Sequence, residues 1–186
     1  MIQNGEKGAT MPKRAGNGRA KLQRESHLFA PVFDERSRIL ILGTFPSVKS
    51  REVGFYYGHP QNRFWKVLAA LTEEPVPQSI EEKKALLLRH GIAVWDVIAS
   101  CDIVGSSDSS IRNVVPADLG IILNHCQIEK IFANGSTAAK LYQKYQKAAT
   151  GMEIVTLPST SPANAAWSLE RLCACWGAAL GLEADC

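Results

Sequence analysis

The chain has 186 residues, 46% of them hydrophobic, enough to bury one sizeable core and too few for two. Its formal charge of +3 is uneven: residues 1–26 hold Lys7, Lys13, Arg14, Arg19, Lys21 and Arg24 against Glu6 and Glu25, a net of +4, so the remainder sums to about −1. The first residues lack the apolar centre of a secretory signal and no run of 18 apolar residues occurs, so an intracellular, cytoplasmic protein that does not span a membrane is expected.

Residues 1–26 are rich in Gly and poor in large apolar side chains, and show neither helical nor strand periodicity. Such a segment cannot bury enough surface to offset its ordering entropy, so it is expected to be a disordered basic extension, with residues 27–186 forming a single domain. Four strand-length apolar runs follow: Arg38–Gly43, Ile92–Val97, Ile128–Ala133 and Met152–Leu157. Between them, 62–72, 79–90, 117–126 and 136–147 have helical spacing, and 165–180 makes a last helix. Gly91 suits a helix C-terminus, and Pro60 suits the first turn of a helix. Strands alternating with helices predict an α/β fold, a three-layer α/β/α sandwich around a mostly parallel four-stranded sheet.

In such a sheet the ligand lies beyond the carboxyl ends of the strands. Four loops are selected: GTFPS from Gly43, the polar stretch from Ile98 to Asn113, NGSTAA from Asn134, and LPSTSPANA from Leu157. The first continues through FYYGHPQNRFW, with two aromatic pairs. Neither GxGxxG after the first strand nor GxxxxGKS occurs, which removes the usual cradles for dinucleotides and nucleoside triphosphates. The loops also lack paired carboxylates, a His cluster and a Ser-His-Asp set. Cys101, Cys126, Cys173, Cys175 and Cys186 include no CxxC pair, so packing or surface roles are expected, with no metal.

The ordered segments LILGTFPS, FYYGHPQNRFW, WDVI, DSSIRN, FANGSTA and LPSTSPANA resemble the uracil-DNA glycosylase superfamily and, within it, the hypoxanthine-DNA glycosylases. The resemblance runs from about Phe33 to Leu180. The mismatch-specific uracil enzymes are similar in having GINPG followed by an HPxNRFW segment, but Phe45 stands where their catalytic Asn would be. Excising a base breaks an N-glycosidic bond through an oxocarbenium-like sugar, so a polar group must orient water or stabilise the departing base. Phe45 can do neither. The resemblance implies that Asn62 of the HPxN segment takes over, holding a water or contacting the base.

A flipped base needs an aromatic face and hydrogen bonds along its edge, which suits Phe45 and Tyr57, with Gly43 and Gly58 permitting close backbone approach. Thr44 and Pro46 complete the expected base-binding wall, and Asn113 is the candidate for reading the base edge. Ser47, Gly135, Ser136, Ser159, Thr160, Ser161 and Pro162 are the candidate DNA contacts, through phosphates or, at Pro162, a small apolar wedge. Lys49, Arg51 and Arg63 could reach the DNA backbone. Leu157 replaces the His that commonly opens the second superfamily motif, which argues against efficient uracil excision.

The resemblance therefore implies a monofunctional glycosylase, without metal or organic cofactor, that removes a deaminated base, hypoxanthine above others, and leaves an abasic site. The expected partner is double-stranded DNA carrying such a base, with single-stranded DNA as a second form, and the chain is expected to act as a monomer. Uracil, xanthine or mismatched thymine as substrate, a damaged-DNA binding protein without chemistry, and a hydrolase of free nucleosides remain the alternatives.

Overall fold

The computed structural model describes residues 21–182. Its centre is a four-stranded parallel sheet in the order β3-β2-β6-β7, formed by β2 (Ile39–Gly43), β3 (Ile92–Asp96), β6 (Lys130–Asn134) and β7 (Ile154–Leu157). Leu40, Ile41 and Leu42 are wholly buried, as a central strand covered on both faces requires. The four predicted strands are all present, with ends shifted by one or two residues. From β2 the chain steps outward to β3, and from β6 it steps the opposite way to β7. Right-handed crossovers then put the intervening helices on opposite faces of the sheet. The two central strands, β2 and β6, meet at the point where the order reverses, and the crevice opens beyond their carboxyl ends, Gly43 and Asn134.

Between β2 and β3 lie α1 (Val48–Val53), α2 (Phe64–Leu71) and α3 (Ile80–Arg89). Sequence patterning missed α1, a short helix capped by the Ser47 hydroxyl. The helix expected from Asn62 begins at Phe64, so Pro60 sits in the preceding turn rather than in the helix. Phe64, Trp65, Val67, Leu68 and Leu71 give α2 a buried face, and Phe64 meets Trp176 edge to face at 5.9 Å. Ser79 and Glu82 form a reciprocal capping box at the start of α3, and Gly91, at φ 62°, follows its C-terminus as the sequence implied. On the other side of β6 come α5 (Ser136–Tyr145) and α6 (Lys147–Thr150), and α7 (Leu169–Leu180) closes the fold against α2.

The stretch from Ile98 to Asn113 departs from the expected loop. It contains β4 (Ile98–Ile103), a 3-10 turn at Asp108–Ser110 and the start of β5 (Arg112–Pro116), followed by the short α4 (Gly120–Leu123). With β1 (Gln23–Ser26) these form a second, antiparallel sheet in the order β1-β4-β5. Ile98, Cys101 and Ile103 are the buried positions of β4, and register shifts against β5 break the strict alternation by which a half-buried strand is read from sequence. The boundary drawn at residue 26 is therefore corrected: Gln23–Ser26 pair with Ser100–Ile103, and the part of the extension before residue 21 lies outside the described residues.

Glu74, in the turn after α2, binds Arg89 and His90 at the end of α3, with His90 Nε2 2.6 Å from its carboxylate. These contacts, Arg89 first, hold its pKa down at about 2, below the ordinary 4.5. A depressed carboxylate contributes stability above its unfolded pKa and loses it as pH falls through the folded value. Glu74→Gln should therefore lower the melting temperature at neutral pH, and the gap from wild type should shrink between about pH 4.5 and 2 in parallel thermal melts.

Candidate active site

A cavity of about 870 Å³ opens at the carboxyl edge of the parallel sheet. Its walls come from the loop after β2, the HPQN segment, the 3-10 turn and the loop after β7. Of the predicted site residues, Gly43, Thr44, Phe45, Pro46, Ser47, Tyr57, Asn62, Ser159, Thr160, Ser161 and Pro162 line it.

Asn62 is fixed by a network that also fixes its chemistry. Its Oδ1 accepts from the Phe64 amide at 3.0 Å and from the Thr160 hydroxyl at 2.9 Å. A backbone N–H can only donate, so the oxygen side of the Asn62 amide is identified by its partner. Thr160 is held in turn by Asn134, whose Oδ1 accepts from the Thr160 amide and whose Nδ2 donates to the Thr160 hydroxyl, both at 2.9 Å. The two lone pairs of the Asn62 oxygen are thus occupied, and its Nδ2 hydrogens are what it offers the cavity. Asn62 therefore presents donors to the cavity, which can bind a water oxygen or an acceptor atom of a base.

Arg63 does the same for a whole loop. Its guanidinium donates to the carbonyls of Ser161 at 2.6 Å, Asn164 at 3.0 Å, Thr160 at 3.3 Å and Trp167. This cation is committed to binding protein carbonyls. Lys49, on the cavity wall, pairs with Glu52 on the exposed side of α1, and Arg51 donates to the Pro46 carbonyl and lies 3.6 Å from Glu25. Trp176 on α7 props the same loop from below through the Pro158 carbonyl at 3.0 Å.

Tyr57 adopts a left-handed backbone, φ 51°, and stacks on Phe64 with ring centres 3.9 Å apart. Its hydroxyl is buried and meets no partner at hydrogen-bond geometry among the described residues, although Asn134 and Asp96 are near. Burial, and then the Asp96 charge, push its pKa up, so it stays a neutral O–H. Phe45 is 9% exposed, with the Arg51 guanidinium 5.8 Å from its ring centre.

Five predicted contacts take other roles. Gly58 packs against α1, where a Cβ would come within 3.2 Å of Ser50, so its close approach is to protein. Asn113 donates to Asp102 at 2.6 Å on the outer sheet and is not in the cavity wall. Gly135 spends its amide on the Ala133 and Leu157 carbonyls, and its missing Cβ makes room for Ser159. Ser136, the first residue of α5, also lies outside the cavity wall. Thr160 is wholly buried and serves as a strut between Asn134 and Asn62, not as a phosphate contact.

The structure also adds groups that motif reading passed over. Asp96, at the end of β3, is 4% exposed and lines the cavity, and its Oδ2 lies 2.8 Å from His27 Nε2. A carboxylate only accepts, so His27 donates through Nε2. Asp108 faces the same cavity from the 3-10 turn; it stands at the exposed rim, yet surrounding protein, with the Asp96 charge adding, raises its pKa against a hydrogen bond from Thr44. A carboxylate ending an otherwise apolar strand was a signal for Asp96, while nothing local marked His27. Among the described residues no group of three or more His, Cys, Asp or Glu is arranged to hold a metal, and no helix is long and apolar enough to cross a membrane.

Comparison with known proteins assigns this fold and its switch-point cavity to a family. Residues 30–179 match the model of the uracil DNA glycosylase superfamily, and the chain belongs to that superfamily of DNA glycosylases, enzymes that act on DNA. It is 35% identical over 147 residues to a hypoxanthine DNA glycosylase of Methanosarcina acetivorans, covering 77% of this chain and 90% of that protein. A hypoxanthine DNA glycosylase of Methanosarcina barkeri is 34% identical over 139 residues, covering 73% and 86%. The solution NMR structure of a candidate uracil DNA glycosylase from Methanosarcina acetivorans superposes with a TM-score of 0.67 at 33% identity, covering 77% of this chain and 89% of that one.

Thr160→Val removes the hydroxyl while keeping the shape, leaving the Asn134 amide without its acceptor and the Asn62 oxygen short of a donor. Urea titration should find a loss of about 1–3 kcal/mol in unfolding free energy. Thr160→Ser, which restores the hydroxyl, should recover most of it.

Proposed function

We propose that the chain is a monofunctional DNA glycosylase that flips hypoxanthine out of duplex DNA and hydrolyses its bond to deoxyribose. The observation that carries this reading is Asn62, its oxygen saturated by Phe64 and Thr160 and its amide hydrogens left to a cavity that also holds Phe45 and Tyr57. The curated relatives at about 35% identity named hypoxanthine DNA glycosylases support the choice of base.

A purine leaves sugar when the bond between C1′ and the ring nitrogen breaks and its electron pair stays with the base. Donors placed on the acceptor atoms of that base stabilise the charge it gains, and a fixed amide does so without reorganising. Water then adds to C1′; its hydroxyl remains on the sugar and its proton balances the anionic base. Because Asn62 acts on the leaving group, a strong Brønsted base at the first motif is not required, and Phe45 in that place is compatible with turnover. Phe45 and Tyr57 supply apolar faces for a flat base, and Gly43, Thr44 and Pro46 complete that wall.

Ser47, Ser159, Ser161 and Pro162 are the contacts proposed for the DNA strand. The hydroxyl oxygens of Ser159 and Ser161 accept the backbone amides of Ser161 and Ala163, which leaves each hydroxyl proton to be donated to a phosphate, while the Ser47 hydroxyl accepts the Ser50 amide and shares a further hydrogen bond with the Ser50 hydroxyl. Pro162 stands between them at the rim as the apolar wedge.

Single-turnover assays on duplexes carrying hypoxanthine, uracil, xanthine or mismatched thymine test this reading, with alkali to reveal abasic sites. Hypoxanthine should be cut in preference to the other three. Asn62→Ala should lose roughly 100-fold or more in rate while keeping its fold and DNA affinity. Wild-type turnover by that folded variant would remove Asn62 from the chemistry, and folded wild-type protein that binds DNA without cutting any duplex would make this a binding protein.

A further inference from the structure

Building on the reading of this cavity as the seat of an excised base, we infer that the enzyme has a further activity: it removes from DNA alkylated purines that carry a fixed positive charge, such as 3-methyladenine. The observation is the charge balance of the cavity wall. Asp108 faces the cavity from the 3-10 turn and Asp96 from the end of β3, and the two carboxylates are near enough to feel each other's charge. Asp96 is 4% exposed and its Oδ1 accepts no hydrogen bond among the described residues, so one buried carboxylate oxygen is left to the cavity. Nothing on the described wall cancels these charges. Lys49 is the one Lys or Arg among the described residues that line it, and its ammonium is 2.6 Å from Glu52. His59 uses its Nδ1 lone pair to accept the Gln61 amide. His27 donates to Asp96, but its Nδ1 is buried without a partner among the described residues, so a second proton on that ring would find no acceptor. Arg51 lies over the Phe45 ring and 3.6 Å from Glu25, and it is not part of the wall.

A flat cation suits such a cavity on two counts. Aromatic faces attract it through their quadrupoles, and Phe45 and Tyr57 line the wall. A carboxylate in a sheltered site favours a neighbouring positive charge far more than it does in water. Surrounding protein, and then the Asp96 charge, disfavour ionised Asp108 against a hydrogen bond from Thr44, and a cation seated beside the two acids relieves that repulsion. The attraction acts at seating, because a base leaves the stack only if the cavity offsets the pairing and stacking it gives up. The chemistry that follows asks little of the protein. The C1′–N9 bond breaks, its electron pair neutralises the ring, and 3-methyladenine departs uncharged; water then bonds to C1′ and releases its proton to solvent. Neither a Brønsted base nor an acid for the leaving group is required, which fits Phe45 at the first motif. O6-methylguanine, methylated but neutral, gains nothing from the carboxylates.

The test measures free bases released from duplex DNA treated with dimethyl sulfate, with the same DNA lacking protein to subtract spontaneous loss. Duplexes carrying hypoxanthine or O6-methylguanine run alongside. Wild type should release 3-methyladenine above the spontaneous rate and leave O6-methylguanine in place. Asp108→Asn keeps the size of a rim side chain and removes its charge. Below saturating protein it should lower the ratio of 3-methyladenine to hypoxanthine release about 10-fold, and the loss should narrow at saturation, since the charge acts on seating. Asp108→Lys should lower the ratio further, with thermal melts confirming that both variants fold. Hypoxanthine cleavage without 3-methyladenine release above background would overturn the inference and leave the proposed function standing. An unchanged ratio in both folded Asp108 variants would overturn it as well. Folded wild type that releases neither base would instead overturn the glycosylase reading on which the inference rests.

Discussion

One guanidinium holds two walls of the cavity together. Arg63 sits at the mouth of α2, and the four carbonyls it collects belong to Thr160, Ser161, Asn164 and Trp167, close to 100 positions later in the chain. A loop of Ser, Pro and Asn has little apolar surface with which to anchor itself, so its position depends on directional bonds. Arg63 supplies them from a planar fork that Lys could not reproduce. The adjacent Asn62 joins the same loop through Thr160. One segment of chain therefore carries both the clamp and the candidate catalytic amide, and the loop cannot shift without moving the amide.

The sheet explains why these groups meet. The crossovers on either side of β2 and β6 diverge at their carboxyl ends, and Gly43 and Asn134 stand on the two sides of the gap between them. Gly43 gives space to Asp96, and Asn134 gives order to Thr160. The backbone places the residues, and their side chains divide the work: one half of the cavity is organised around an acceptor and the other around a donor.

The parallel sheet was legible because its four strands are continuous apolar runs, and the cavity because three of its loops directly follow strands. Local pattern misled where side chains serve distant partners. Arg63 reads as a surface cation until its carbonyl partners are known, and Thr160 reads as a phosphate-binding hydroxyl until it is found wholly buried. Asn113 looked like a reader of the base edge because its loop is polar, but that polarity serves Asp102 and the antiparallel sheet. His27 lies 69 positions from Asp96, and only the pairing of β1 with β4 brings it near the cavity.

Tyr57 keeps a backbone conformation that non-glycine residues adopt at an expense of roughly 1–3 kcal/mol. Its ring lies on Phe64, and the next residue, Gly58, is wedged against α1 and bonded to the Ser50 hydroxyl, so the left-handed turn is imposed from both sides. That strain is met once, during folding, and not again at each encounter with DNA. Under the proposed function, the aromatic wall is already assembled when a nucleotide arrives, which favours discrimination by refusal: an unsuitable base fails to seat and returns to the helix without any closing motion.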